Sequence, residues 1–517
     1  MPISPDPMLL ERLRSQPNGL HALQRGIEKE SLRVAANGEL SRADHPRELG
    51  AALTHPHITT DFSEAQLELI TDVHPTPEAC LQQLESVHRF VYHNLGDELL
   101  WPASMPCRVG EDPQIPVGRY GTSNVGRAKT VYRLGLGLRY GRLMQTISGI
   151  HYNFSLPQQT WHALGYADQD AQDQAYFALI RNFRRWSWLL IYLFGASPAV
   201  CRSFTRGLAH NLVAMDEGSQ YLPDATSLRM GPLGYQSSAQ SALHVSYNSL
   251  EEYATSMVQA LTTVYAPYAQ HGTQDTNGDY LQLNTNILQI ENEFYGSIRP
   301  KRRTEPGDRP VSALRARGVE YVEVRCLDLN PFLPLGIDAQ QIRFLDTFLL
   351  LCLICDSAPD NVGESGEIGS NQHAVVERGR SANLPLQIQG QQVNAADYAL
   401  ALLDACREVV ALLDAANQTD LYGRALQAQV AKVTTPSLTP SARVLDSMRE
   451  QQQPFFSLTM QQARAFKQAF ANHPLTNAEL ADMQAQARDS LRRQNELETT
   501  ESLSFADYLE EYLAIPG

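Results

Sequence analysis

The chain has 517 residues, 43% of them hydrophobic, and a formal net charge of -15. That length buries a large core and alone suggests about three domain-sized units. The acidic balance argues against a nucleic-acid-binding surface, which needs clustered positive charge.

The first residues, Met1-Pro-Ile-Ser-Pro-Asp6, lack the basic and apolar regions of a signal peptide. Residues 8–25 read as a short amphipathic helix leading into an acidic strand, Gly26–Val34, on which Glu28 and Glu30 point the same way. Thr59, Thr60, Asp61, Phe62 and Glu64 lead into a second strand over 65–71, where Glu68 interrupts an apolar run. Helical spacing of apolar residues follows over 75–99, with Asp72 and Pro75 marking its start, and then a proline-punctuated loop over 101–107. Gly121 and Gly126 have P-loop spacing, but Arg127 and Ala128 stand where lysine and a hydroxyl residue are required, so the motif is rejected. Gly135 and Gly137 likewise lack the third glycine of a dinucleotide fingerprint.

A third strand, Gly149–Pro157, puts His151, Asn153 and Ser155 on one face and Ile150, Tyr152, Phe154 and Leu156 on the other. A long helix is predicted over 170–194, ending at Gly195, and loops dominate through 222–229 and Tyr235. A helix over about 250–265 precedes a strand or extended loop over 281–295, closed by Ile298–Arg302. The central strand, Gly318–Phe332, carries Val322, Val324 and Cys326 on one face and Tyr321, Glu323, Arg325 and Leu327 on the other. A buried helix over 340–355 contains Cys352-x-x-Cys355, which has no second pair to complete a zinc site and reads as two buried small hydrophobes. Seven scattered cysteines suit a reducing cytoplasm rather than a disulfide framework. Residues 357–395, rich in Gly, Ser, Asn and Gln, look like a linker or flexible loop, and 396–517 are helical, with a charged, solvated helix face over 477–501. The expected division is therefore a catalytic core over 1–356, a linker over 357–395 and a helical region over 396–517. The apolar runs 186–194 and 344–355 fall short of the ~20 residues that cross a bilayer, so a soluble, cytoplasmic protein is expected.

Four strands, each apolar on one side and bearing acids or metal-capable groups on the other, predict an α+β fold. Its single antiparallel sheet would rest one face on helices and line a charged cleft with the other. Taken singly, His151 reads as a core histidine, Asp61 as a turn residue and Tyr132, Tyr235 and Tyr295 as packing aromatics. Together, Glu28, Glu30, Asp61, Glu68 and Glu323 would repel one another unless they surround cations or protons. Oxygen ligands with one imidazole, His151, favour Mg²⁺ or Mn²⁺ over zinc. Arg299, Lys301, Arg302 and Arg325 are placed to hold a triphosphate, and Arg325 shares a face with Glu323.

The sequence resembles the proteobacterial type of glutamate–cysteine ligase. The segments that carry the resemblance are 26–34, 52–71, 120–133, 144–157, 192–201, 221–235, 281–302 and 318–332, in order along the chain. The resemblance implies a fold related to glutamine synthetase, with a curved antiparallel sheet lined by helices. It implies ATP-dependent joining of the glutamate γ-carboxyl to the cysteine amine through a γ-glutamyl phosphate, the first step of glutathione synthesis. Glu28, Glu30, Asp61, Glu68, His151 and Glu323 resemble the family's magnesium ligands, and Arg325 its phosphoryl-stabilising arginine. Gln145 and Asn153 resemble glutamate-site residues. Phe62, Tyr132, Arg229, Tyr235 and Tyr295 resemble the cysteine pocket, and Lys301 with its neighbours the nucleotide side. The implied partners are glutamate, cysteine and ATP, with no nucleic acid or membrane and a monomer as the default assembly. The absence of a second ATP-binding domain argues against a fused enzyme that also adds glycine. Rival readings are a ligase joining glutamate to another amine and a non-catalytic nucleotide- or metal-binding relative.

Overall fold

The computed structural model describes residues 3–234, 237–241, 243–304 and 308–515. Its strands are β1 (Gln24–Val34), β2 (Ile58–Thr60), β3 (Gln66–Ile70), β4 (Leu99–Leu100), β5 (Ile150–Ser155), β6 (Ala199–Cys201), β7 (Val213–Ala214), β8 (Ser219–Tyr221), β9 (Ile298–Lys301), β10 (Tyr321–Leu327), β11 (Pro385–Ile388) and β12 (Gln391–Asn394). Seven of them form one sheet in the order β2-β3-β1-β5-β10-β9, with β4 on the end of β1. Every pairing in it is antiparallel. The α+β architecture expected from the strand patterns is the one observed. β6, β8 and β7 make a small second sheet, and β11–β12 a hairpin.

Alternation along the strands builds the two faces. Ile27, Leu67, Leu69, Ile150, Tyr152, Phe154, Val322 and Val324 are fully or almost fully buried in one core with Phe183, Phe344 and Phe348. Each such side chain withdrawn from water contributes about 1.5–3 kcal/mol. Those phenylalanines come from two helices laid against the sheet, Gln169–Phe194 and Ala339–Ile354. Asp168 and Asp338 cap their N-termini by accepting from the Ala171 and Gln341 amides. The first helix stops at Gly195, where a side chain would meet the Ile191 carbonyl. A third helix, Pro77–Asn94, starts just after Pro75, close to where the sequence placed it: Thr76 accepts from the Ala79 amide and Pro77 fills the first turn.

Several expectations give way to tertiary partners. The core face of β1 is not wholly apolar: Arg25, Lys29 and Arg33 point into it. Arg25 pairs with Asp346 at 3.0 Å, Lys29 lies 2.7 Å from His88 and Arg33 meets Glu98 at 2.9 Å. Leu327 does not share the face of Glu323 and Arg325. The register slips between Val324 and Leu327 and sets Leu327 opposite Ile150 on the core side. Residues 357–395 are not a structureless loop: they form the helix Val362–Arg378, capped by Asn361, and the β11–β12 hairpin. Of the two readings of 281–295, strand or extended loop, the loop is the one observed, with a single 3₁₀ turn at Glu291–Glu293. Cys107 and Cys201 are joined in a disulfide, against the expectation of free thiols, while Cys80, Cys326, Cys352, Cys355 and Cys406 are free and buried. No helix among the described residues is long and apolar enough to cross a membrane.

Candidate active site

The sheet register assembles the charged face. Directly opposite residues in an antiparallel pair project to the same side. Glu28 sits opposite His151, Glu30 opposite Glu68, and Glu323 opposite both Asn153 and Arg299. Strands β3, β1 and β10 therefore deliver their acids to one surface, β5 adds His151 and Asn153 between them, and β9 adds cations at its edge. Ligand atoms of Glu28, Glu68 and His151 lie within 4.8 Å of one another, a geometry fit for a metal ion. The His151 ring is 3.2 Å from Glu28, 3.5 Å from Glu30 and 3.7 Å from Glu323. Asn153 donates to Glu28 at 2.8 Å, and the Gly149 amide donates to Glu30 at 2.6 Å.

Electrostatics divides the acids into two kinds. Burial pushes the Glu30 carboxyl up to about 8, helped by Asp61 and opposed by Arg229 and Arg325. Glu68 is also raised well above the usual range, by burial and by Glu28, Asp61 and Glu30. Burial works against ionisation of Glu28 and Glu323 as well, but it is outweighed. The hydrogen bond with His151 holds Glu28 low, and Lys301, Arg325 and His151 hold Glu323 well below the usual range. Lys301 is 3.4 Å and Arg325 is 3.2 Å from Glu323. Burial and Arg325 lower the His151 pKa, which keeps the imidazole neutral and able to act as a ligand.

A divalent cation fits this donor set. His151 Nε2 and Asn153 Oδ1 are buried without a hydrogen-bond partner, and two neighbouring carboxyls are destabilised as anions. Buried lone pairs and crowded negative charge are both relieved by one cation.

A cavity of about 90 Å³ opens beside Arg325, lined by Arg229, Met230, Tyr295, Gly296, Ser297 and Gln372. The buried Arg229 donates to the Arg325 carbonyl at 3.0 Å. Gln145 donates to the Tyr295 hydroxyl at 3.0 Å, and the Tyr295 ring meets Tyr140 edge-on. Phe62 and Tyr132 belong to the apolar cluster beneath this region. Burial, Glu293 and Asp61 raise the Tyr132 phenol, so it stays protonated. Arg299 Nη2 donates to the Asn292 and Phe294 carbonyls while its charge acts on Glu323, and Arg302 lies 3.9 Å from Glu320. Of the aligned cations, Lys301 and Arg325 are thus the two that touch the acid cluster. Asp61 enters it through its charge on Glu30 and Glu68, while its carbonyl accepts from Arg133. Tyr235 lies outside the described residues.

Sequence reasoning passed over some of the neighbours. Lys129 and Arg133, on the helix Asn124–Tyr140, act electrostatically on Glu68, and burial and Arg133 lower Lys129 to about 8. The scarcity of lysine in the chain was the only hint of Lys129. Gln372 comes from the helix in the stretch read as a linker, where no periodic signal stood out.

The family profile described as glutamate–cysteine ligase matches residues 10–375. The glutamate–cysteine ligase of Pseudomonas fluorescens is 51% identical over 495 residues, 95% of this chain and 93% of that protein. The enzyme of the same name from Azotobacter vinelandii is 51% identical over 498 residues, 95% of this chain and 94% of that protein. Among solved structures, glutamate–cysteine ligase from Francisella tularensis in complex with AMP superposes with a TM-score of 0.90. It is 36% identical, over 95% of this chain and 97% of that one. A bifunctional glutathione synthetase from Pasteurella multocida shares the fold at a TM-score of 0.71 and 24% identity, over 90% of this chain and 55% of that one.

Proposed function

The chain belongs to the glutamate–cysteine ligase family, and from that premise we propose how its own residues carry out the reaction. The protein uses ATP to join the γ-carboxyl of L-glutamate to the amine of L-cysteine, the first step of glutathione synthesis. The observation that carries the assignment of the site is the meeting of Glu28, Glu68 and His151 within 4.8 Å, on a sheet face shared with Lys301 and Arg325.

Glu28, Glu68 and His151 would hold Mg²⁺ or Mn²⁺, with Glu30, Glu323 and Asp61 completing the charge around it. Such ions neutralise phosphate oxygens and favour phosphoryl transfer. The chain's own work is positioning and electrostatics. Glu323 holds Arg325 and Lys301 side by side, where both would meet the phosphoryl group as it passes from ATP to the glutamate γ-carboxylate. Arg325 spans that group with two donors in a plane, which a lysine cannot do. Asn153 and Gln145 address the glutamate. Arg229 takes the carboxylate of cysteine, while Tyr132 and Tyr295 wall the pocket, so that the cysteine amine attacks the acyl phosphate and phosphate departs.

Phosphate release tests the assignment directly. It is expected to need glutamate, cysteine and a divalent cation together, and release that is indifferent to cysteine would refute the reading.

A further inference from the structure

We propose that a second cavity, away from the catalytic face, binds a small anion of two or more charges between Arg108 and Arg202. Its volume is about 750 Å³, inside the range of roughly 300–1,000 Å³ typical of small-molecule sites. It shares no lining residue with the 90 Å³ cavity beside Arg325 or with the acid cluster. Its walls carry Arg108, Arg202 and Arg206 against a single acid, Glu217. On a chain of net charge -15 that local excess of positive charge runs against the overall balance.

The fold sets two of these arginines out from neighbouring points. Cys107 and Cys201 are bridged with their Cα atoms 5.1 Å apart, and the residue after each is an arginine that lines the cavity. Both backbones are fixed. The Arg108 carbonyl accepts from the Leu40 amide at 2.9 Å, and the Arg202 amide donates to the Gly218 carbonyl at 2.8 Å. The Ser203 hydroxyl donates to the Cys107 carbonyl at 2.9 Å and ties the two segments together again. Arg108 lies over the Phe456 ring, 3.8 Å from its centre, which steadies the guanidinium. Among the described residues neither Arg108 nor Arg202 forms an ion pair with a carboxylate, and Arg206 meets only Glu111, at 3.6 Å. Cations brought to one cavity without a counterion repel one another, and an oxyanion lodged between them relieves that repulsion. Guanidinium forks match phosphate and carboxylate oxygens alike, so the ligand chemistry is that of a polyvalent oxyanion. Phe456 and Ser457, on the same wall, belong to the first turn of the helix Phe455–Asn472, whose N-terminal end adds partial positive charge.

Isothermal titration without Mg²⁺ tests the site, with inorganic pyrophosphate as the phosphate probe and citrate as the carboxylate probe. Tighter binding of pyrophosphate assigns the site to phosphorylated compounds, and tighter binding of citrate assigns it to polycarboxylates. Arg108→Ala and Arg202→Ala should each weaken the preferred probe at least about fivefold, the loss of a charge-assisted contact at a partly screened position. The double replacement should weaken it further. Both arginines are exposed, so neither replacement disturbs the core. Arg325→Ala, on the catalytic face, should leave this binding unchanged. Undiminished binding to the double variant, or no binding of either probe to the parent at millimolar concentration, overturns the proposal. A loss that follows Arg325→Ala and spares the other variants puts the anion in the catalytic cleft and overturns it as well.

Discussion

The charged face rests on a buried ionic network whose removal has a calculable cost. Beneath Glu28, His151 and Asn153, on the core side of the same strands, Arg25 donates to Asp346 at 3.0 and 3.4 Å, and the Tyr152 hydroxyl donates to it at 2.5 Å. Arg25 is 2% exposed and Asp346 is fully buried. Asp346→Asn keeps the volume but leaves the guanidinium without its counterion, which should cost about 3–5 kcal/mol. Tyr152→Phe withdraws one hydrogen bond and should cost about 1–3 kcal/mol. The pair itself adds little net stability, because taking both charges out of water offsets most of their attraction. The double replacement Arg25→Met with Asp346→Leu should therefore lie within about 2 kcal/mol of the parent. Urea denaturation followed by far-UV circular dichroism ranks the variants. A double replacement as costly as the sum of its two single changes would refute the reasoning, because it would mean that the charges stabilise the fold in their own right.

Arg325→Lys should lower kcat at least about tenfold while KM for ATP changes little, since a single charge survives but the planar fork is lost; steady-state kinetics decides it, and an unchanged kcat removes the assigned role. Gly149→Ala drives a methyl group to 2.0 Å from Arg229 Nη2, so KM for cysteine should rise at least about tenfold, and wild-type KM in that variant would show that Arg229 does not serve cysteine. The Glu30 carboxyl titrates at about 8 when folded, against 4.5 as the ordinary value. A raised acid stabilises the fold most below pH 4.5 and loses that contribution as pH climbs toward 8, where a cation can take the proton's place. Mg²⁺ affinity measured calorimetrically should therefore tighten by roughly tenfold per pH unit for each proton released, from pH 6 to 8; a flat profile contradicts it. Thiol titration of the denatured, unreduced chain should find the five cysteines outside the Cys107–Cys201 bridge, and seven reactive thiols would show that the bridge is absent.

The strands were legible because alternation is local. Glu28 and Glu30 two residues apart, or Glu323 and Arg325, declare a shared face whatever the partner strand does. What escaped is whatever depends on distant chain. Nothing in β1 itself marks Lys29 and Arg33 as buried, and His88 and Glu98, 59 and 65 residues away, make their burial tolerable. The slip that turns Leu327 inward is a property of the β10–β5 pair and leaves no mark on either strand alone. Gly363, Gly366 and Gly369 made 362–378 read as a linker. Each glycine does weaken a helix by about 1 kcal/mol, but Val375 and Val376 are fully buried there and the Val376 carbonyl accepts from the Thr226 amide.

The same distinction explains why the acid cluster and the proposed cysteine pocket were reached by different routes. Carboxylates on a strand are unusual enough that their chemistry can be argued from the residues themselves, and four strands made the argument cumulative. The pocket offers no such regularity. Arg229 comes from a 3₁₀ turn, Tyr295 from a loop, Gln372 from a helix and Gly149 from the entry to β5, so only resemblance could group some of them. Asp328 belongs with neither group in the sequence: one more acid in Cys326-Leu-Asp-Leu-Asn330, it is distinguished only by the two serines and the arginine that the fold brings to it. A carboxylate buried to 1% exposure demands an account of its partners. Here that account is given by the Ala196 amide, Ser197, Ser227 and Arg229, which tie the end of the central strand to the turn that carries Arg229.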